Sequence, residues 1–494
     1  MNRWSFVLPL VFALPVAAQQ SDAPTQLTIY NQDFAVARTT VPLDLHSGSN
    51  EVLTTNVTSQ LEPDSVILRD PTGRSPIHVG EQNYDAGVVT QAWLLDKYEG
   101  KTLDFQTYGP HMSSNANGDE KVLPPLLVKG RIVRAGDQPL IEVDGHLQFQ
   151  LPGLPIFPAD TEGLLLKPTL RWQIQSAAAT KFNAELDYIT RGMSWQATYN
   201  VVVPEAADVT GPEVAEVVGW VTIQNNSGTD FPQATIQLMA GDVAKLRDVG
   251  MSMGGPMARN SFALAASDAS FTVTQKEFDD FHLYDLHRTV SLRNHESKQV
   301  QFLEAAGVTV QRNYQFEGNA PITQPMYAGY HNDQRNFGGG GNTHVAIREE
   351  IKNSTANHLG MPLPAGRLRL YRREASGQMQ FVGESMVQHT PAGQTVQVVS
   401  GNAFDLTAER RQTDFHIDQQ GHNMDETFAI KLSNAKSQPV TVHVVEHLNR
   451  AVNWQITEKS ADYTKKDSTT VDFSVQVPAS GDITLNYSVH YSWD

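Results

Sequence analysis

The run His443-Val-Val-Glu-His447 has the H-x-x-E-H spacing of inverted zinc peptidases. Two histidines four apart share one metal on a helix, where residues i and i+4 stack on the same face. The surrounding Pro439-Val-Thr-Val-His-Val-Val-Glu-His-Leu448 is rich in β-branched residues and alternates, which reads as a strand. At about 3.3 Å per residue, a strand sets the two histidines roughly 13 Å apart. They are expected on a solvated strand face, without a shared zinc. His282, His287 and His295 lie close in sequence, but their offsets of five and eight fit neither a helical face nor one strand face. Asp279, Asp280 and Asp285 could add oxygen ligands nearby, yet no Gly-containing calcium loop surrounds them. This cluster reads as exposed polar loop, and no cofactor is expected.

No G-x-S-x-G elbow is expected, and the βαβ alternation that would place its serine at a strand-to-helix turn is absent. Gly338-Gly-Gly-Gly341 is not a phosphate loop, for no Gly-Lys-Ser/Thr follows it; a flexible linker is expected there. Glu409-Arg-Arg-Gln-Thr-Asp414 leaves two readings open. Arg410, Arg411 and Asp414 form a candidate recognition patch, since adjacent arginines can make bidentate contacts to a carboxylate or an anionic sugar. The same arginines could instead close an internal ion-pair network with Glu409 and Asp414. Trp195 and Trp220 are expected in the core rather than as sugar-stacking platforms, because a tryptophan buried between sheets is common in sandwiches. No catalytic residue is assigned.

The 494 residues include 37 basic and 54 acidic side chains, a formal charge of −17. That argues against a nucleic-acid partner, which needs a basic patch to displace counterions. At 40% hydrophobic and 18% charged, the composition is that of a globular protein. The absence of cysteine excludes disulfides, thiolate metal sites, cysteine nucleophiles and a lipid-modified N-terminal cysteine. Arg3, an apolar run from Trp4 to Val16, and Val16 with Ala18 at the −3 and −1 positions read as a cleaved signal peptide over residues 1–18. Those 13 apolar residues hold two prolines and fall short of the length of a bilayer span, about 20 residues. After signal removal the chain is expected to be exported, periplasmic or extracellular, and not membrane-spanning.

Period-two alternation dominates the rest of the chain. Val471, Phe473, Val475 and Val477 share one face, and Leu485, Tyr487, Val489 and Tyr491 share another beyond the turn Pro478-Ala-Ser-Gly-Asp482. Short strands are also expected at Leu27–Tyr30, Ser65–Arg69, Leu140–Val143, Leu147–Leu151, Thr169–Gln173, Val218–Ile223 and Thr235–Met239. Helix is scarce: Gln91–Tyr98 is one candidate, while Lys298–Ala306 fits a hairpin reversing at Gly307 better. The expected fold is all-β, several antiparallel β-sandwich (Ig-like) units with a small β-barrel-like insertion and little helix. Its segments are an N-terminal β region at 19–96, the barrel-like insertion at 97–152, a central sandwich at 153–328, a Gly-rich linker at 329–342 and a C-terminal Ig-like region at 343–494. Residues 250–269, with Met251, Met253 and Met257 around Gly254-Gly-Pro256, read as a mobile loop open to proteolysis. Ile223-Gln-Asn-Asn-Ser227, Ile351-Lys-Asn-Ser354 and Ile430-Lys-Leu-Ser-Asn434 form a weak internal echo, each an alternating strand ahead of an Asn/Ser turn. The unequal intervals between them speak against a strict repeat.

At Tyr188-Ile-Thr-Arg-Gly-Met-Ser-Trp-Gln-Ala-Thr-Tyr199, Gly219-Trp-Val-Thr-Ile-Gln-Asn-Asn-Ser-Gly228 and Leu238-Met-Ala-Gly-Asp242 the chain resembles bacterial exported proteins of the domain of unknown function 4139 family, relatives of mucoidy inhibitor A. The likeness continues through Pro362-Leu-Pro-Ala-Gly-Arg-Leu-Arg-Leu-Tyr371 and the closing Val489-His-Tyr-Ser-Trp493. It implies a sandwich-rich exported protein and assigns no catalytic residue. Mucoidy inhibitor A relatives carry a coiled coil in the N-terminal half; no such heptad stretch is seen here. The function expected is a cell-envelope binding or structural module, with an envelope protein or polysaccharide as partner. The alternative is a hydrolase with its site assembled between domains.

Overall fold

A computed structural model describes residues 16–17, 24–75, 77–87, 89–107, 113–114, 120–121, 126–159, 166–204, 211–241, 243–245, 274–278, 280–321, 331–335, 337, 342–420 and 422–493. It is 66% strand and 3% helix, and none of its sheets closes into a barrel, so the all-β sandwich expectation holds. Alternation explains the strands directly. Along Met193–Pro204 the side chains of Met193, Trp195, Ala197, Tyr199, Val201 and Val203 are all buried, and the residues between them face outward. No helix among the described residues is long and apolar enough to cross a membrane. Of the expected export segment only Val16–Ala17 is described, paired in parallel with Val52 and Leu53.

One continuous core unites a seven-stranded sheet, a four-stranded sheet and the first half of a thirteen-stranded sheet. The seven-stranded sheet runs Thr274–Phe278, Phe281–Leu292, Phe231–Ala240, Gln26–Tyr30, Phe34–Leu45, Thr180–Arg191, Ile67–Arg69. Its strand at Gln26–Tyr30 lies parallel to Thr235–Met239, so this early strand is locked into the sheet beside Phe231–Ala240 and Phe281–Leu292. A second core fills the C-terminal sandwich.

The two largest units share strands. Glu296–Glu317 pairs with Glu213–Asn225 over its first half and lies parallel to Val442–Val445 at its end. Thr395–Asp418 likewise pairs first with His344–Lys352 and then with Asn423–Asn434. The hairpin expected at Gly307 is therefore corrected: Val300, Phe302, Val308 and Val310 stay on one strand. Gly307 has φ +76° beside a register shift between Ala215 and Val217, so the glycine that suggested a reversal makes a bulge instead. The stretch from Met379–Val387 to the start of Thr395–Asp418 curls until its edges touch. A Cβ on Gly383 would lie 2.2 Å from the Ser400 carbonyl oxygen, so glycine is what allows that approach. At the C-terminus, Thr470–Val477 pairs with Val440–His447, while Gly481–Ser492 pairs with Asn423–Asn434 and Asn453–Lys459. The turn after Val477 thus carries the chain between two arms of the same thirteen-stranded sheet.

The insertion is an open five-stranded sheet, ordered His146–Gln148, Leu140–Val143, Leu126–Arg134, Thr102–Thr107, Leu154–Ile156. The expected helix is present at Gln91–Lys97, N-capped by Thr90, and its Leu95 joins Leu103, Phe105, Ile132 and Ile141 in a small core on one side of the sheet.

The internal echo has a structural counterpart. Asn225, Asn353 and Asn434 each sit at or just after a strand end and are 0–2% exposed. The Asn225 amide donates to the carbonyls of Thr229, Leu292 and Arg293, and the Asn434 amide to those of Gln438, Val477 and Pro478. Asn353 donates to Met361, Thr390 and Pro391. In all three, two of the acceptors are consecutive carbonyls on a distant segment, and the side-chain oxygen accepts a backbone N–H at 2.9–3.1 Å. The same hydrogen-bonding solution closes three loop ends.

Candidate binding groove

On the outer face of the seven-stranded sheet, four strands line a groove of about 590 Å3. Register builds it. The parallel pair places Gln26 beside Thr235 and Thr28 beside Gln237; the next strand adds Arg38 beside Gln26 and Val36 beside Thr28. On the other flank Asp285 lies beside Gln237 and Thr289 beside Thr235. Between those two residues the register shifts, and His287 adopts φ +47°. That bulge brings His287 and Arg288 into the groove lining.

The charges here are paired within the sheet. Arg38 Nε donates to Asp187 at 2.7 Å, a bond that raises the guanidinium's pKa against the opposing effect of burial. Glu185 is pushed up by partial burial, but the hydrogen bond from Arg69 and the charges of Arg38 and Arg69 outweigh that and hold its carboxyl below the ordinary range. Burial lowers the pKa of Arg288. Asp285 accepts from the Gln237 amide at 3.0 Å and from the His287 backbone N–H at 2.8 Å. The His287 ring stands 3.4 Å from Asp285 through Nδ1 and hydrogen-bonds the Thr274 hydroxyl through Nε2. Carboxylate, imidazole and hydroxyl are in the order of a hydrolytic relay. The Asp285 contact is longer than a good hydrogen bond, and its carboxylate is already engaged twice. The arrangement therefore suits holding a polar ligand better than activating a nucleophile.

The sequence-derived candidates fall elsewhere. Arg410 and Arg411 do not form one patch with Asp414, because neighbours on a strand point to opposite faces. Arg410 turns inward, its side chain 6% exposed, and its Nε meets both Glu446 oxygens at 2.9 and 3.1 Å. Arg411 turns out to solvent and lies 3.3 Å from Glu409, and Asp414 is exposed beside a register shift. The ion-pair reading is thus right in kind for Arg410 but wrong in partner. Trp195 is buried as expected, its ring N–H on the Met239 carbonyl at 3.2 Å, whereas Trp220 is corrected to a half-buried position on the outer face, opposite Thr198 and Gln301.

Val440–His447 is a strand, so the H-x-x-E-H run does not fold as a helix. Glu446 faces the interior, His443 lies 3.2 Å from Asp472, and His447 is buried between the Thr470 hydroxyl and Glu317, which corrects the solvated-face reading for His447. His282 and His287 are strand residues and only His295 is in a turn, which corrects the loop reading. Among the described residues no group of three His, Asp or Glu is placed to hold a metal. Residues 250–269, Asp279 and Gly338–Gly341 lie outside the described residues. The expectation that no G-x-S-x-G run occurs is corrected: Gly250-Met-Ser-Met-Gly254 has that spacing. The described strands on either side, Phe231–Ala240 and Thr274–Phe278, both run antiparallel to Phe281–Leu292, and the run itself lies outside the described residues. The groove itself escaped sequence reasoning because its lining comes from four strands spread over residues 26–289.

His443 supplies a pH-dependent test of this part of the fold. The hydrogen bond to Asp472 raises its pKa above the ordinary 6.5, and burial and Lys466 only partly oppose this. Asp472 is pushed up by burial but held below its ordinary value by His443 and Lys466. The histidine's contribution is full below about pH 6.5 and is lost as pH rises through its raised folded value. Asp472's contribution is lost only at the acid end, as pH falls through its lowered value. His443→Gln should therefore melt below the native protein near pH 6, and the gap should close by about pH 9. A gap that does not change with pH means the pair does not titrate this way.

Fold and groove together define a multi-sandwich all-β protein with a ligand-sized cleft on one sheet face. The chain belongs to the domain of unknown function family DUF4139, whose family model matches residues 184–494. A search of curated proteins gives no match.

Proposed function

We propose that the chain is an exported cell-envelope protein, periplasmic or extracellular, that works by binding, with the groove on the seven-stranded sheet as its ligand site. The observation that carries this reading is the groove: its volume lies in the range of small-ligand sites, about 300–1,000 Å3. The hydroxyls and amides of Gln26, Thr28, Thr235 and Thr289 line a face whose one carboxylate, Asp285, and whose Arg38 are already paired. Such a surface suits an uncharged polar chain on an envelope polysaccharide or protein better than a strongly charged ligand.

Thr235→Trp fills the groove from a residue whose side chain faces outward. Envelope polysaccharide and envelope protein fractions, titrated separately against the native protein and this variant by calorimetry, should show a ligand in one fraction whose affinity falls at least about tenfold in the variant. Equal binding by both proteins removes the groove from the function. Hydrolysis in the groove is the second reading, favoured only by the Thr274–His287–Asp285 array. It predicts turnover abolished by His287→Gln.

A further inference from the structure

Eight of the eighteen exposed large apolar side chains among the described residues fall between Trp93 and Leu166, in and around the small insertion. Its sheet has one covered face. The helix Gln91–Lys97 and the buried Leu103, Phe105, Ile132 and Ile141 occupy that side. The opposite face should be polar by ordinary alternation, yet four large apolar side chains stand exposed among its polar ones. Register places Leu127 beside Gln106 and Gln106 beside Leu154; one row on, Lys129 lies beside Asp104 and Asp104 beside Ile156. A third row sets Arg131 against Glu142 and Glu142 against Leu147. Leu127, Leu147, Leu154 and Ile156 are 58%, 62%, 52% and 43% exposed on this face.

We propose that this face is a homodimer interface, covered by the same face of a second copy of the chain. The charge pattern selects that occupant. Asp104 and Lys129 are neighbours across the two central strands, Thr102–Thr107 and Leu126–Arg134. A two-fold axis running along the strands between them sets Asp104 of each copy against Lys129 of the other, which is the self-complementarity an isologous interface requires. Like-charge repulsion would keep two chains of charge −17 apart elsewhere, but residues 97–152 carry six Lys/Arg against seven Asp/Glu, a net of −1. A lipid surface fits less well, because Asp104, Lys129, Arg131 and Glu142 would enter the bilayer interface without new partners. The face measures roughly 24 by 20 Å from five strands and six residues, so the contact is at the small end of specific interfaces and the dimer is concentration-dependent.

Sedimentation equilibrium of the chain from Gln19 onward, between roughly 1 and 100 µM, should show a monomer–dimer equilibrium. Leu127→Glu combined with Leu154→Glu should raise the dimer Kd at least about tenfold while leaving the far-UV spectrum unchanged. If that variant misfolds, charge reversal decides the matter. Asp104→Lys and Lys129→Asp should each weaken the dimer by like-charge contact, and the two together should restore it. A native chain that stays monomeric throughout overturns the proposal. So does a dimer that survives both charge reversals unchanged, or a monomer that floats with zwitterionic vesicles through Leu127 and Leu154.

Discussion

Glu446→Gln should lower the stability of the C-terminal sandwich by about 3 to 5 kcal/mol, the usual penalty for stripping one partner from a buried ion pair. Glu446 is fully buried, receives Arg410 Nε on both oxygens and accepts the Tyr487 hydroxyl. The amide keeps the shape and removes the charge. Arg410 then stays buried as an uncompensated cation, its guanidinium 3.9 Å over the Phe428 ring, because an arginine cannot escape by losing its proton. For a unit of this size the melting temperature should fall by roughly 10 °C. The informative control removes both charges. Arg410→Met with Glu446→Leu should recover most of the loss, since well-packed apolar replacements of buried pairs are often neutral or better. If the single and double variants melt together, packing rather than charge holds the site. Arg450 and Glu426 form a second such pair 2.6 Å apart in the same core, and Arg450 also donates to the carbonyls of Asn332 and Gln334. That contact docks part of the segment read as a flexible linker onto the sandwich.

The Arg410 pair shows where sequence reasoning stops. The strand at Val471–Val477 was legible because one residue in two is apolar, and a half-buried strand demands that pattern. The non-helical reading of His443 to His447 followed from β-branched neighbours alone. Partners across sheets were not legible. Glu446 lies 36 residues beyond Arg410, and nothing local announces that the two strands face each other. The chain's own period was nonetheless enough to exclude a joint Arg410–Arg411 patch, since adjacent strand residues diverge. Gly307 misled for a related reason: a glycine between two alternating runs signals a turn or a bulge equally well, and only the continuous pairing with Glu213–Asn225 decides. The groove needed both kinds of missing knowledge, a parallel pairing between residues 26–30 and 235–239 and a bulge at His287.

Asn434→Asp should destabilise the protein strongly at neutral pH and progressively less as pH falls, the reverse of ordinary acid denaturation. The native amide donates to the carbonyls of Gln438 and Pro478 at 2.8 and 2.9 Å and to Val477 at 3.5 Å, while its oxygen accepts the Lys436 N–H at 2.9 Å. A carboxylate keeps the acceptor and turns the donor into a negative charge facing three carbonyl oxygens. Each buried polar group left without its partner costs about 1 to 3 kcal/mol, and a charged one more, so a loss of several kcal/mol is expected near pH 7. Burial and the facing carbonyls raise the folded-state pKa of the introduced acid above its unfolded value, about 3.9. Because the unfolded chain then binds fewer protons than the folded one, stability rises as pH falls through that raised value. The protonated acid can donate once, which restores one of the lost bonds. Asn225→Asp and Asn353→Asp should behave alike, because their amides meet the same pattern of consecutive carbonyls. Denaturant midpoints of the three variants between about pH 4 and 7.5 test this. Three profiles that recover together on acidification make the staples one device used three times, whereas a variant that stays flat with pH has a loop end open enough for water to take over the donor's role.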